Sequence, residues 1–217
     1  MGLAHSPRIV TDGLVLCLDA ASKRSYPGTG TTWTDLKGGN NGTLINGPTF
    51  DSDNGGSIVL DGSNDAISIS DLTFSSAGFT YSFTAKLSSS QSKDFPRVIA
   101  GDVEIEWNRS GPHKLRWRWV GSSPSSLDSN SNYFIQDAIH TYTITFTSPN
   151  LKLYRDGLLF QTMTFTSSSD TTFNTLMNRS SYNRPVGANF YQCLLYNKTL
   201  TPDEILQNYL STKERYA

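Results

Sequence analysis

Hydrophobic and polar residues alternate along most of this chain with a period of two. In Phe79–Leu87 the residues Phe79, Tyr81, Phe83 and Ala85 fall on one face of an extended backbone. Thr80, Ser82, Thr84 and Lys86 fall on the other. Residues 140–146 repeat the pattern, with Tyr142, Ile144 and Phe146 opposed to Thr141, Thr143 and Thr145. Residues 14–18 form a nearly continuous apolar run, as a strand buried on both faces would. A short strand is expected at Gly42–Ile45. Residues 57–60 and 66–70 flank the turn Asp61-Gly62-Ser63-Asn64-Asp65, and Asp156-Gly157 within 151–161 is a two-residue hairpin signal. One helical segment follows the strand expected at 190–196. Thr201 suits the N-cap, Pro202 the first helical position and Glu204 the third, which together make a capping box. Ile205, Leu206, Tyr209 and Leu210 give the helix, expected to run to about residue 213, an apolar stripe. Many antiparallel strands and one late helix predict an all-β sandwich or jelly roll with a short C-terminal helix packed against it. No linker divides the chain, so it reads as an extended arm over residues 1–12 and a single domain over 13–217.

Length and charge narrow the classes. At 217 residues, one large β-domain can bury a core without disulfides or metals. A net charge of −1 supplies no phosphate-neutralising surface, which argues against nucleic acid. No apolar run approaches the length that crosses a membrane. The opening MGLAHSPRIVTDG lacks a long apolar core, so no signal peptide is expected. Its Met1-Gly2…Ser6 fits an N-myristoylation pattern only formally. Cys17 and Cys193 lie in expected strands; buried free thiols are favoured, and a disulfide needs those two strands to be neighbours. Asn-x-Ser/Thr sequons stand at Asn41, Asn108, Asn178 and Asn197, as chance produces in so Ser/Thr-rich a chain.

The densest chemistry is GDVEIEW, residues 101–107, where Asp102, Glu104 and Glu106 alternate. Paired carboxylates on one sheet face are how a retaining glycosidase holds its nucleophile and acid. The pattern resembles the Glu-x-Asp-x-(x)-Glu strand of laminarinase-type glucanases, though in a different order. Parity offers another reading. If residues 113–120 form the next strand of a hairpin, Trp107 faces Leu115, Ile105 faces Trp117 and Val103 faces Trp119. Glu106 then faces Arg116, and Glu104 faces Arg118. This predicts a structural ion-pair ladder of Glu104, Glu106, Arg116 and Arg118, whose guanidiniums would hold the carboxyl pKa values low. Asp61 and Asp65 are candidate Ca²⁺ ligands, against the reading of an ordinary turn. Trp33, in a loop, is the candidate ligand-stacking residue; Trp107, Trp117 and Trp119 belong to the core face. His5, His113 and His140 lack metal-ligand spacing. No other cofactor is indicated.

Several motifs, in order, resemble laminin G-like, concanavalin A-like jelly-roll domains of tailed-phage virion proteins, particularly those of marine phages. They are Asp12-Gly13-Leu14-Val15-Leu16…Leu18-Asp19-Ala20, Ser25-Tyr26-Pro27-Gly28, Thr32-Trp33-Thr34-Asp35-Leu36, Asn46-Gly47-Pro48-Thr49-Phe50, Leu153-Tyr154-Arg155-Asp156-Gly157 and Leu195-Tyr196-Asn197 with the capped helix. The resemblance implies a non-enzymatic virion structural protein, such as a capsid decoration or a neck, tail or fibre appendage. Its partners would be other virion proteins, itself as a homo-oligomer, and host-surface glycans. The arm over 1–12 would dock, and the loops over 26–48 and 121–132 would face outward. A carbohydrate-binding adhesin module is the alternative, and a glycoside hydrolase using Glu104 and Glu106 the third reading. Some family members carry an Asp-Glu pair where this chain has Tyr191 and Gln192, which weakens a calcium site carried over from them.

Overall fold

The alternation closes into two stacked sheets. The computed structural model describes residues 7–108, 112–119, 126–167, 169–179 and 183–216. In chain order the strands are β1 (Leu14–Asp19), β2 (Thr32–Trp33), β3 (Gly42–Ile45), β4 (Thr49–Asp51), β5 (Ser57–Asp61) and β6 (Ala66–Phe74). There follow β7 (Phe79–Leu87), β8 (Arg97–Gly101), β9 (Val103–Asn108), β10 (Lys114–Trp119) and β11 (Ser126–Asp128). The last are β12 (His140–Thr147), β13 (Asn150–Arg155), β14 (Leu158–Thr164), β15 (Thr171–Leu176) and β16 (Gly187–Tyr196), before helix α1 (Pro202–Thr212). The described residues make two eight-stranded sheets. The first runs β14-β13-β12-β7-β16-β5-β4, with β1 also beside β16. The second runs β11-β10-β9-β8-β15-β6-β3-β2. The expected all-β sandwich with one short C-terminal helix is what forms.

β16 is the hub of the first sheet. It pairs with β7 on one side, and on the other with β5 through Phe190↔Ile58 and then with β1 from Gln192 onward. The inward residues of both sheets meet in an aromatic core. Trp117 stacks on Phe79 and Phe146 at 6.1 and 5.6 Å and meets Phe165 edge-on at 6.2 Å. Trp33, the candidate ligand-stacking residue, is wholly buried and meets the Phe190 ring edge-on at 5.6 Å. β2 gives it a strand position facing the core, so it cannot stack on a ligand.

A second apolar cluster lies on the far side of the first sheet, where Leu14, Cys17, Tyr154, Leu194 and Tyr196 meet Leu200 and Ile205 of the helical segment. The capping box forms: Glu204 N donates to Thr201 Oγ1 at 3.3 Å, and Thr201 N to Glu204 Oε2 at 2.8 Å. The buried stripe differs from the expected one. It comprises Ile205, Asn208 and Thr212, while Leu210 is exposed. Asn208 is drawn in because it serves two partners, accepting from Val10 N at 2.8 Å and donating to Tyr196 Oη at 3.0 Å. Tyr196 Oη in turn donates to Val10 O at 3.0 Å, so this stretch of the N-terminal arm lies against its own domain. No helix among the described residues is long and apolar enough to cross a membrane. Residues 1–6 with the Met1-Gly2 pattern, the hairpin turn 109–111 and residues 121–125 of the outward loop lie outside the described residues.

β1 and β16 are indeed neighbours, yet Cys17 and Cys193 are free and buried. Cys17 faces Leu194, and Leu18 faces Cys193. One residue out of step puts the two thiols on opposite faces of the sheet. Cys193 joins the main core, and burial pushes the Cys17 thiol up to about 12.

Replacing Trp117 by Ala should cost about 3–5 kcal/mol of stability. Replacing the cap Thr201 by Ala should cost only ~1 kcal/mol. Urea unfolding followed by tryptophan fluorescence measures both. Equal costs would mean that the core does not depend on the Trp117 stack.

Candidate functional site

The outer face of the second sheet carries the charged side chains that the core cannot take. Two hollows lie there, one of about 490 Å³ over β8, β15 and β6, the other of about 300 Å³ over β8, β9, β10 and β11. Each is built by a break in strand register.

In the larger hollow the break is at Asn174. β15 slips between Phe173 and Thr175 against both of its neighbours, β6 and β8. A bulge of this kind re-aims a side chain. Here it presents Asn174, which donates from Nδ2 to Asp71 Oδ1 at 3.1 Å. Asp102 is locked beside it: its amide donates to Thr172 O at 3.0 Å, and its Oδ2 accepts from Thr172 N at 3.1 Å. Gly101 permits this approach, since a Cβ there would stand 1.8 Å from Thr172 O. Arg179 closes one side. Asp71, Asp102 and Asn174 are all exposed, so the hollow offers oriented acceptors and donors that remain open to solvent.

In the smaller hollow the break is at Val98. Arg97 faces Glu106, but two residues on Ile99 faces Ile105 of the core side. Val98 is the inserted residue, and both Val98 and Ile99 are buried. Without the bulge, Arg97 and Ile99 would share a face. With it, Arg97 joins the acids, donating from Nε to Glu104 Oε2 at 3.0 Å and standing 3.0 Å through Nη2 from Glu106 Oε1. Arg97 Nη1 also donates to Phe95 O. Phe95 itself has a φ of 54°, and its ring lies under the Arg116 guanidinium at 4.5 Å.

The predicted hairpin register is found pair for pair from Trp107↔Leu115 to Val103↔Trp119. The ion pairing across it needs two corrections. Arg116 does not serve Glu106. The unanticipated strand β11 brings Asp128 opposite Arg116, which forks onto it at 2.6 and 3.0 Å. Glu104 and Glu106 are instead held mainly by Arg97. Arg118 Nη1 stands 3.7 and 3.8 Å from them, and Arg179 reaches Glu104 Oε1. The second correction concerns pKa. Burial raises Glu106 above its ordinary range, outweighing the pull of Arg97. Asp128 behaves as expected of a paired acid and is lowered by its bond from Arg116.

Asp61 and Asp65 serve their own turn. Asp65 Oδ2 accepts from Asp61 N at 2.9 Å and Asp61 Oδ1 from Ser63 N at 2.7 Å. Among the described residues no group of three or more His, Cys, Asp or Glu side chains stands together to hold a metal. Asn178, one of the sequons, is buried, with Nδ2 donating to the carbonyls of Asn64 and Asp65. Asp71, Arg97, Asn174, Arg179 and Arg184 were not anticipated as site residues. The signal for Arg97 was a run of adjacent apolar residues, Val98-Ile99-Ala100, directly after a charged one, which breaks period two.

A family model described as "Concanavalin A-like lectin/glucanases superfamily", of the third laminin G type, matches residues 61–206. A search of curated proteins finds no significant match. Among solved structures, domain 4 of AbnA, an extracellular arabinanase from Geobacillus stearothermophilus in complex with arabinotriose, aligns with a TM-score of 0.68 at 16% identity. That alignment covers 90% of this chain and 98% of the other. Trypanosoma rangeli sialidase aligns with a TM-score of 0.68 at 12% identity over 99% of this chain. This chain spans 36% of the sialidase's length. The binding domain of botulinum neurotoxin serotype D aligns with a TM-score of 0.64 at 16% identity, covering 91% of this chain and 51% of that one.

Removing Arg97 would take from two buried carboxylates the partner that holds both at 3.0 Å and leave Glu106 only the looser Arg118, so Arg97→Met should cost about 3–5 kcal/mol near neutral pH. The deficit should shrink on acidification, as the under-compensated acids take up protons. In the native protein, folding favours protonated Glu106. That contribution is full below the ordinary value of 4.5 and is lost as pH rises through the higher folded value. Urea titrations across that window should show Glu106→Gln abolishing this loss. An unchanged slope would mean that Glu106 does not titrate as its burial requires.

Proposed function

Because the chain belongs to the concanavalin A-like lectin/glucanases superfamily, we propose that it is a non-enzymatic glycan-recognition module that binds on the outer face of its second sheet. The observation that carries this reading is the open polar hollow where Asn174, Asp71, Asp102 and Arg179 converge. Sugar hydroxyls are bound by side chains that both donate and accept and that are fixed beforehand, so that little entropy is lost on binding. The bulge and the paired Asp102–Thr172 bonds supply that fixation. The likeness to an arabinanase domain solved with arabinotriose is in keeping with it.

Burial supports the non-catalytic half of the reading. The Glu104 side chain is 0% exposed and lies among three guanidiniums, with no face toward a substrate. The raised pKa of Glu106 suits an acid catalyst, but its side chain is only 3% exposed and engages Arg97. The resemblance of its motifs to those of tailed-phage virion proteins supports, as the proposed setting, a structural component of the virion, in a capsid decoration or in a neck, tail or fibre appendage, made in the host cytoplasm. There the module would contact other virion proteins, including copies of itself, and host-surface glycans.

Glycan-array screening followed by calorimetry should find a saturable ligand, and Asn174→Ala should weaken it about tenfold without shifting the melting temperature. Undiminished binding would move the site elsewhere. Hydrolysis of the bound glycan that Glu104→Gln abolished would overturn the non-catalytic reading. Mass spectrometry of purified particles should detect the chain. Its absence there would remove the virion setting and leave the binding face untouched.

A further inference from the structure

The smaller hollow is not built for neutral hydroxyls. Four arginines line it, Arg97, Arg116, Arg118 and Arg184, with Glu106 as the single lining carboxylate. The chain as a whole carries a net charge of −1, so this concentration of guanidinium is local. Two of the four are engaged: Arg97 by Glu104 and Glu106, and Arg116 by the fork onto Asp128. The other two are under-compensated. Arg118 has a side chain 44% exposed and stands at 3.7 and 3.8 Å from acids that Arg97 already holds at 3.0 Å. Arg184 Nη1 donates to the backbone carbonyl of Asp94 at 3.0 Å, and no carboxylate of the described residues lies within ion-pair reach of it. The cluster also has a floor. The Phe95 ring lies 4.5 Å from the Arg116 guanidinium, a cation–π contact that braces this side of the hollow.

Resting on the glycan-binding reading above, the geometry points to an acidic glycan as the ligand, with its anionic substituent, a carboxylate or a sulfate ester, seated between Arg118 and Arg184. A guanidinium presents paired donors that match two oxygens of one anionic group. Arg97 of this hollow and Arg179 of the larger one both hold Glu104, so the two hollows are neighbours on this face and a sugar chain spanning both is part of the proposal. The neutral part then meets Asp102 and Asn174 while the anion meets the arginines. Glu106 and Asp128 are engaged more closely by Arg97 and Arg116, at 3.0 and 2.6 Å, than Glu106 is by Arg118 at 3.8 Å, so an anion between Arg118 and Arg184 meets only that weaker competition.

The test compares matched ligands by calorimetry on the full chain: a galactose trimer, a galacturonic acid trimer and a heparin tetrasaccharide. The acidic ligands should bind at least about tenfold more tightly than the neutral trimer, and that advantage should fall with added salt. Arg118→Gln and Arg184→Gln alter exposed or half-exposed side chains and should fold normally. Each should remove the acidic advantage while leaving neutral binding within about twofold. Preference for the carboxylate or for the sulfate identifies the substituent, and either supports the proposal. Equal affinity for neutral and acidic ligands would overturn it while the glycan-binding face stands. Binding of none of these ligands, nor of any glycan on an array, would overturn both.

Discussion

The rest of this structure depends on the alternation of side chains along extended backbone. A strand cannot choose the face of each residue separately. Once Val103, Ile105 and Trp107 are committed to the core, Glu104 and Glu106 are committed to the opposite face. The site is therefore the reverse side of the core, placed by the same hydrophobic demand. Only a bulge escapes this rule, and both hollows sit at one. At Val98 the extra residue turns Arg97 toward the acids, and at Asn174 it turns an amide toward solvent.

This explains which parts could be read from residues alone. Strands with clean alternation, such as β7 and β12, and the β9–β10 pairing were legible, because parity allows a single register that buries the tryptophans. The capped helix was legible from local chemistry at Thr201, Pro202 and Glu204. β8, β11 and β15 were not. The first and last are bulged, so their apolar positions lose period two, and β11 is only three residues long. The site suffered accordingly. Three members of the ion-pair cluster, Glu104, Glu106 and Arg118, lay in legible strands. The arginine that completes it came from a strand the pattern conceals. Trp33 failed for the opposite reason: turn residues around it suggested a loop, while a two-residue strand carries it inward.

The charge cluster also illustrates how burial and attraction compete. Proximity to a guanidinium alone would depress the pKa of Glu106. Taking the carboxylate out of water costs more than Arg97 returns, so the pKa moves up. Asp128, with the same kind of partner but more water, moves down. The difference lies in depth beneath the surface, which no spacing of residues in sequence encodes.

The position of β16 carries a consequence for how the molecule is made. It is the last strand in chain order, yet it pairs with β1, β5 and β7. On the ribosome, the first sheet must wait for its central strand. Until residues near 196 emerge, the facing edges of β1, β5 and β7 have no partner, and nothing written earlier in the chain can supply one. Closure then brings together segments some 180 positions apart, the kind of long-range pairing that makes folding slow. Until that strand has emerged, the partly made sheet is the form most in need of protection from aggregation.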